Sequence, residues 1–184
     1  TRSRKLLILI LAIALIARLG VALTRPNTIH QPNGSDSHWY WSNGYLLMSG
    51  ATIGEVDGAV YDVSQLQPPP LYLIFIGIPQ YVFDQSTAYL FVLLCQVVIS
   101  TLTVFLAARL TRILIGSEKA ANVCAALIGF SPAFIIESSQ ITTETLFIAL
   151  LTLALFWFVS ALSNRDKSAV FLVLSGLAFG AATL

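Results

Sequence analysis

Apolar residues in this chain gather into long runs at 6–23, 88–108, 120–136, 145–162 and 169–184, separated by shorter polar stretches. Each run approaches the roughly 20 residues that a helix needs to cross a bilayer. A sixth run, LYLIFIGIPQYVF at 71–83, has only 13 residues and contains Pro79. That length suits a segment lying in the membrane interface better than one that crosses it. The pattern predicts an all-α fold, a polytopic membrane helix bundle with a long outer first loop, 24–87, that contains interfacial helices.

Charge chooses between the two topologies. If 71–83 crossed the membrane, Arg109, Arg112, Lys119, Arg165 and Lys167 would all lie outside, against the excess of Lys and Arg expected in cytoplasmic loops. With 71–83 in the outer interface, the clusters at 2–5, 109–119 and 165–167 become cytoplasmic, which is eight of the ten basic residues. The N-terminus is then inside, and 24–87 and 137–144 share the outer face. The N-terminal run resembles a signal peptide only at its basic start. It is too long for an ordinary apolar core of a signal, contains Arg18 and precedes no small-residue cleavage site. It reads as a retained helix. The last run breaks off at Leu184 with no cap or flanking charge, so residues 1–184 are expected to be the N-terminal transmembrane module of a longer chain whose C-terminal remainder is missing.

Composition sharpens the class. With 57% hydrophobic and 10% charged residues and a mean hydropathy of +0.81, the chain is an integral membrane protein. Its net charge of +1, spread along the sequence, leaves no footprint for a nucleic-acid partner. Cys95 and Cys124 sit inside apolar runs, where thiols behave as small hydrophobes.

The chemistry is expected in the first loop, which up to Pro70 carries four acids against one arginine. The stretch GSDSHWYWSNGYLLMSG, 34–50, sets Asp36 beside His38, Trp39, Tyr40, Trp41 and Tyr45. Those aromatics suit an interfacial belt. Asp36 suits either a helix N-cap, accepting backbone N–H bonds two or three residues on, or a catalytic carboxylate. A second acidic stretch, ESSQITTETLF at 137–147, falls on the same predicted face. There Thr142 or Thr143 can cap a helix, and Glu144 in its first turn complements the helix dipole. The triple proline at 68–70 stiffens the return from the loop. Asn33-Gly34-Ser35 matches a three-residue glycosylation sequon.

Asp36-x-x-x-Tyr40 followed by Leu46, Leu47 and Gly50, then Pro68-Pro69-Pro70-Leu71-Tyr72, resembles the first outer loop of the GT-C glycosyltransferases. The order that follows fits as well: Ala107-Ala108-Arg109, Ile115-Gly116, Ala120 to Leu127, Ser131-Pro132, Ser138-Ser139 and Thr143-Glu144-Thr145-Leu146. More narrowly, the chain is similar to the dolichyl-phosphate-mannose protein mannosyltransferases and lipid A aminoarabinose transferases. Asp84, where that family more often has glycine, departs from the pattern at one turn.

The resemblance implies transfer of a sugar from a polyprenyl-phosphate donor, dolichyl or undecaprenyl, to an acceptor hydroxyl on the outer membrane face. Asp36 matches the family's catalytic base. One carboxylate suffices, because phosphate is already a competent leaving group and the acceptor hydroxyl needs only a proton acceptor as it attacks. Direct displacement inverts the anomeric centre. The developing phosphate charge calls for donors, for which Arg25, His30, His38 and Arg18 are the candidates; Arg18 can also snorkel to the interface. Glu144 matches an acid that often lines the family's cavity and is preferred to Glu137 beside substrate or metal. No cofactor is required, and a divalent metal at Glu144 is compatible. The implied partners are the lipid-linked donor, a protein, lipid or glycan acceptor, and membrane lipids, in the plasma (inner) membrane with the active face outward or at the lumenal face of the endoplasmic reticulum. The alternative is a non-enzymatic transporter or channel subunit. That class places ionisable residues and broken helices near mid-membrane, whereas here the spans carry no charge besides Arg18.

Overall fold

The computed structural model describes residues 2–25, 36–51, 53–56, 59–62, 69–163 and 168–183. His30, the sequon at 33–35, Pro68, Arg165 and Lys167 fall outside them. In chain order the elements are α1 (Arg2–Thr24), α2 (Asp36–Ser49), β1 (Ile53–Val56), β2 (Ala59–Asp62), α3 (Pro70–Val82), α4 (Gln85–Ile115), α5 (Glu118–Gly129), α6 (Pro132–Glu137), α7 (Glu144–Ser163) and α8 (Ser168–Thr183). Helices α1, α4 and α7 are long and apolar enough to cross a membrane. The fold is the helical membrane bundle expected from the apolar runs.

Helix α4 is the spine. Its 31 residues span about 46 Å at 1.5 Å per residue, well beyond the hydrocarbon core of about 30 Å. Asp84 opens it: its carboxylate accepts from the Thr87 backbone N–H at 2.9 Å and from the Thr87 hydroxyl at 2.7 Å. The residue that departs from the family pattern is thus an N-cap. Gly116 closes α4 at φ 70°, a left-handed conformation that suits glycine, with its N–H donating to the Arg112 carbonyl. The helix extends beyond the apolar run 88–108 at both ends because these two caps, and not hydropathy, set its limits.

Two buried clusters divide the bundle along α4. One joins Trp41 of α2, Tyr72, Leu73 and Ile76 of α3, Ala88, Val92 and Leu93 of α4, and Ile141. The other joins Ile10, Val104, Ala108, Ala121 and Ala125 from α1, α4 and α5. Alanines in the second cluster let the backbones approach closely, as small residues do between membrane helices. Much of the large apolar surface on α1, α4, α7 and α8 stays exposed, including Ile8, Ile16, Leu102, Leu162 and Leu177. Such a surface suits lipid.

Three features depart from the expected spans. The run 120–136 is two helices broken at Phe130 and Ser131, and α5 alone reaches only about 18 Å. Pro132, which has no N–H, starts α6. The first loop holds helices α2 and α3 but also an antiparallel β-hairpin, with Ile53 opposite Asp62 and Val56 opposite Ala59. The two residues between the strands are Asp57-Gly58, a strong hairpin signal that hydropathy alone passes over. Finally, α8, at 16 residues, is short for a span.

Candidate active site

Helix α2 carries Asp36 in its first turn, exposed, and Tyr40 one turn further along the same face. Glycines set how α2 meets α3. A Cβ at Gly77 would stand 2.5 Å from the Gly44 carbonyl oxygen, and one at Gly44 would stand 2.7 Å from Ile76. The side-chain amide of Gln80 locks the pair by donating to the Trp41 carbonyl at 3.1 Å. With the backbones this close, the Tyr40 ring meets the Tyr72 ring edge-on, at 5.3 Å between centroids. Trp39 packs against the other side of Tyr40 at 5.2 Å.

Tyr72 is fully buried, and its hydroxyl has no hydrogen-bond partner among the described residues. Burial pushes its pKa well above the usual tyrosine value, and Tyr40 and Glu144 push it the same way. Glu144 therefore lies within electrostatic reach of Tyr72. The carboxylate opens α7 and is exposed.

The turn that presents Glu144 is held from α4. The buried amide of Gln96 donates to the carbonyls of Gln140 and Thr142 at 2.9 and 3.4 Å, and Ile141 fills the neighbouring apolar cluster. Glu137 is occupied locally, accepting from the Thr142 hydroxyl at 3.2 Å. Thr142 thus serves Glu137. A recess of about 20 Å³, room for one water, lies beside Tyr72 between Pro69, Thr143 and Ala182.

The remaining candidates scatter. Arg25, exposed at the end of α1, reaches the Ser139 hydroxyl at 3.5 Å and so faces the turn before Glu144. His38 is only 2% exposed and lies within the packing of α2. Arg18 is completely buried: its guanidinium donates to the Ser100 hydroxyl at 2.9 Å, the Ala14 carbonyl at 3.1 Å and the Gly129 carbonyl at 2.8 Å. Gly129 ends α5, so Arg18 places its positive charge at the negative end of that helix, where the chain breaks. Among the described residues no group of three or more His, Cys, Asp or Glu is placed to hold a metal ion.

Tyr40 and the start of α7, which carries Glu144, thus adjoin Tyr72, with Asp36 one helical turn from Tyr40. Sequence reasoning quoted Tyr72 only as part of the proline motif and passed over Gln96. The signal for Gln96 was there, since it is the one side-chain amide in the apolar run 88–108.

Three helices long and apolar enough to cross a membrane define an integral membrane protein, with the exposed carboxylates of Asp36 and Glu144 at the starts of α2 and α7. Residues 67–184 match the family model described as dolichyl-phosphate-mannose-protein mannosyltransferase. The chain belongs to that family and is a membrane glycosyltransferase of the GT-C type. The matched segment includes Tyr72, Gln96 and Glu144 and begins after α2, which carries Asp36. No curated protein and no solved structure matches the chain.

Proposed function

We propose that the protein transfers a sugar from a polyprenyl phosphate to an acceptor hydroxyl at the outer face of the membrane, with inversion and with Asp36 as the base. The observation that carries this reading is the packing of Tyr40 and of the start of α7, which carries Glu144, beside Tyr72, one helical turn from an exposed Asp36. The recess beside Tyr72 is water-sized, so the phosphosugar lies over the edge formed by the starts of α2 and α7 and not inside the cluster.

A base must reach a hydroxyl brought by a separate substrate, which favours an exposed carboxylate over a buried one. Asp36 meets that need. Arg25, facing the turn before α7, is the cation available to the departing phosphate, while Arg18 is completely buried and bonded to Ser100, Ala14 and Gly129. Helices α2 and α3 pack on the first third of α4, at its outer end in this orientation, which supports a position for both near that interface. A lipid-borne donor presents its phosphate at that depth. A metal is not needed by this scheme, and one held at Glu144 would neutralise phosphate charge.

The test is transfer of labelled sugar from polyprenyl phosphate by the wild type and by Asp36→Asn. Asn retains the size and most of the capping ability of Asp but cannot take the proton. Turnover is expected to fall by about 10² to 10⁴ while folding and donor binding persist. Near-normal transfer by a folded Asp36→Asn protein would sink the assignment and move the base to Glu144.

A further inference from the structure

At the end of the bundle away from Asp36 and Glu144, the start of α1, the end of α4 and the start of α5 enclose a groove of about 360 Å³. Its lining is basic at Arg4, Arg109 and Arg112, and apolar one turn further along the same two helices at Leu7, Ile8 and Phe105. Arg112 is paired with Glu118 at 2.8 Å. Arg4 and Arg109 have no ion pair among the described residues.

The groove is fixed in shape. The Asn122 side-chain amide donates to the Ser3 hydroxyl at 3.0 Å, tying the residue before Arg4 to α5. Gly116 turns the chain so that α5 doubles back along α4 and sets Glu118 beside Arg112. Two guanidinium groups without an ion pair among the described residues thereby line one groove at the end of a membrane-length helix, with apolar side chains one turn further along. Ile8, 67% exposed, continues the apolar lining onto the outer surface of α1.

We propose that this groove binds an anionic glycerophospholipid, its phosphate between Arg4 and Arg109 and its acyl chains along Leu7, Ile8 and Phe105. A soluble anion would use the arginines and leave the apolar lining idle. A zwitterionic lipid would use the apolar lining but set its own cation against the arginines. Only an anionic lipid satisfies both, and basic pockets between membrane helices select such headgroups. The pairing of Arg112 with Glu118 limits the free charge to two guanidinium groups, enough for one phosphodiester and a polar headgroup.

The test is native mass spectrometry of the purified, delipidated chain with phosphatidylglycerol, phosphatidylcholine and inorganic phosphate. With each surface arginine contributing about fivefold, two predict a preference of about 25-fold for phosphatidylglycerol over phosphatidylcholine. The double variant Arg4→Gln, Arg109→Gln should lose most of that preference while keeping its helical circular dichroism. Glu118→Gln, which releases Arg112, should strengthen phosphatidylglycerol binding by about a further fivefold. Equal binding of the two lipids by the wild type, or weaker phosphatidylglycerol binding in Glu118→Gln, would overturn the proposal. Displacement of phosphatidylglycerol by millimolar inorganic phosphate would identify a free-anion site instead.

Discussion

A buried hydroxyl with no partner costs stability, and Tyr72 carries one between Tyr40 and the end of α7 where Glu144 sits. Removing it should therefore not weaken the fold. For Tyr72→Phe we expect thermal stability equal to the wild type or higher by up to about 1 kcal/mol, checked by thermal unfolding in detergent. The pH dependence has a definite sign. Below the ordinary tyrosine pKa, about 10, both folded and unfolded chains hold the proton; above it the unfolded chain ionises first, so stability falls as pH rises. Tyr72→Phe should flatten that fall above pH 10, and an unchanged profile would mean that Tyr72 is not the group responsible. If transfer activity drops in this stable variant, the buried hydroxyl acts on the reaction through its neighbours and not by touching substrate. Arg18 shows the opposite economy. Its bonds run to the Ser100 hydroxyl, to the Ala14 carbonyl of its own helix and to the Gly129 carbonyl at the end of α5, so it ties α1 to α4 and to the break after α5. From the sequence an arginine in a membrane helix reads as a phosphate ligand or a snorkelling side chain, because the sequence does not reveal that a second helix ends beside it.

At the scale of elements, the pairing of α2 with α3 positions the candidate site, and it depends on two glycines. Backbone cannot rotate aside as a side chain can, so Gly77→Ala pushes directly on the Gly44 carbonyl. We expect it to cost about 1–3 kcal/mol, as overpacking does. Gly20→Ala in α1, where an added Cβ meets nothing within 4 Å, serves as the control and should be neutral or slightly stabilising. Equal thermal unfolding of the two variants would show that α2 and α3 do not approach as described. The break between α5 and α6 was half legible. Ser131-Pro132 is a boundary signal, but the apolar run continues through it. Hydropathy averages over the kink, while the helix cannot.

At the scale of the molecule, the arrangement of helices makes topology testable. The turn between α4 and α5 is expected on the side opposite Asp36. Gly116 is a poor probe site because its φ of 70° disfavours any side chain. Lys119, exposed at the start of α5, is better. In a background with Cys95 and Cys124 replaced by alanine, Lys119→Cys should react with an impermeant thiol reagent only after the membrane is opened. Reaction in intact cells would reverse the assigned orientation and with it the interfacial reading of 71–83.

The sequence by itself determined that the chain lives in a membrane, roughly where its long helices run, and which family it belongs to. All of these depend on local composition and on the order of short motifs, which survive without knowledge of contacts. It also marked Asp36, Tyr40 and Glu144 individually. Only the tertiary structure decided that Tyr40 and the start of α7 pack beside Tyr72, that Arg18 reaches the end of a broken helix and His38 is buried, and that Arg4 and Arg109 share a groove. Residues 40 and 72 are brought together because two glycines let α2 and α3 approach closely, and the start of α7 is held beside them by Gln96 of α4. Such proximity is a property of packing between distant segments, and no local pattern in the chain encodes it.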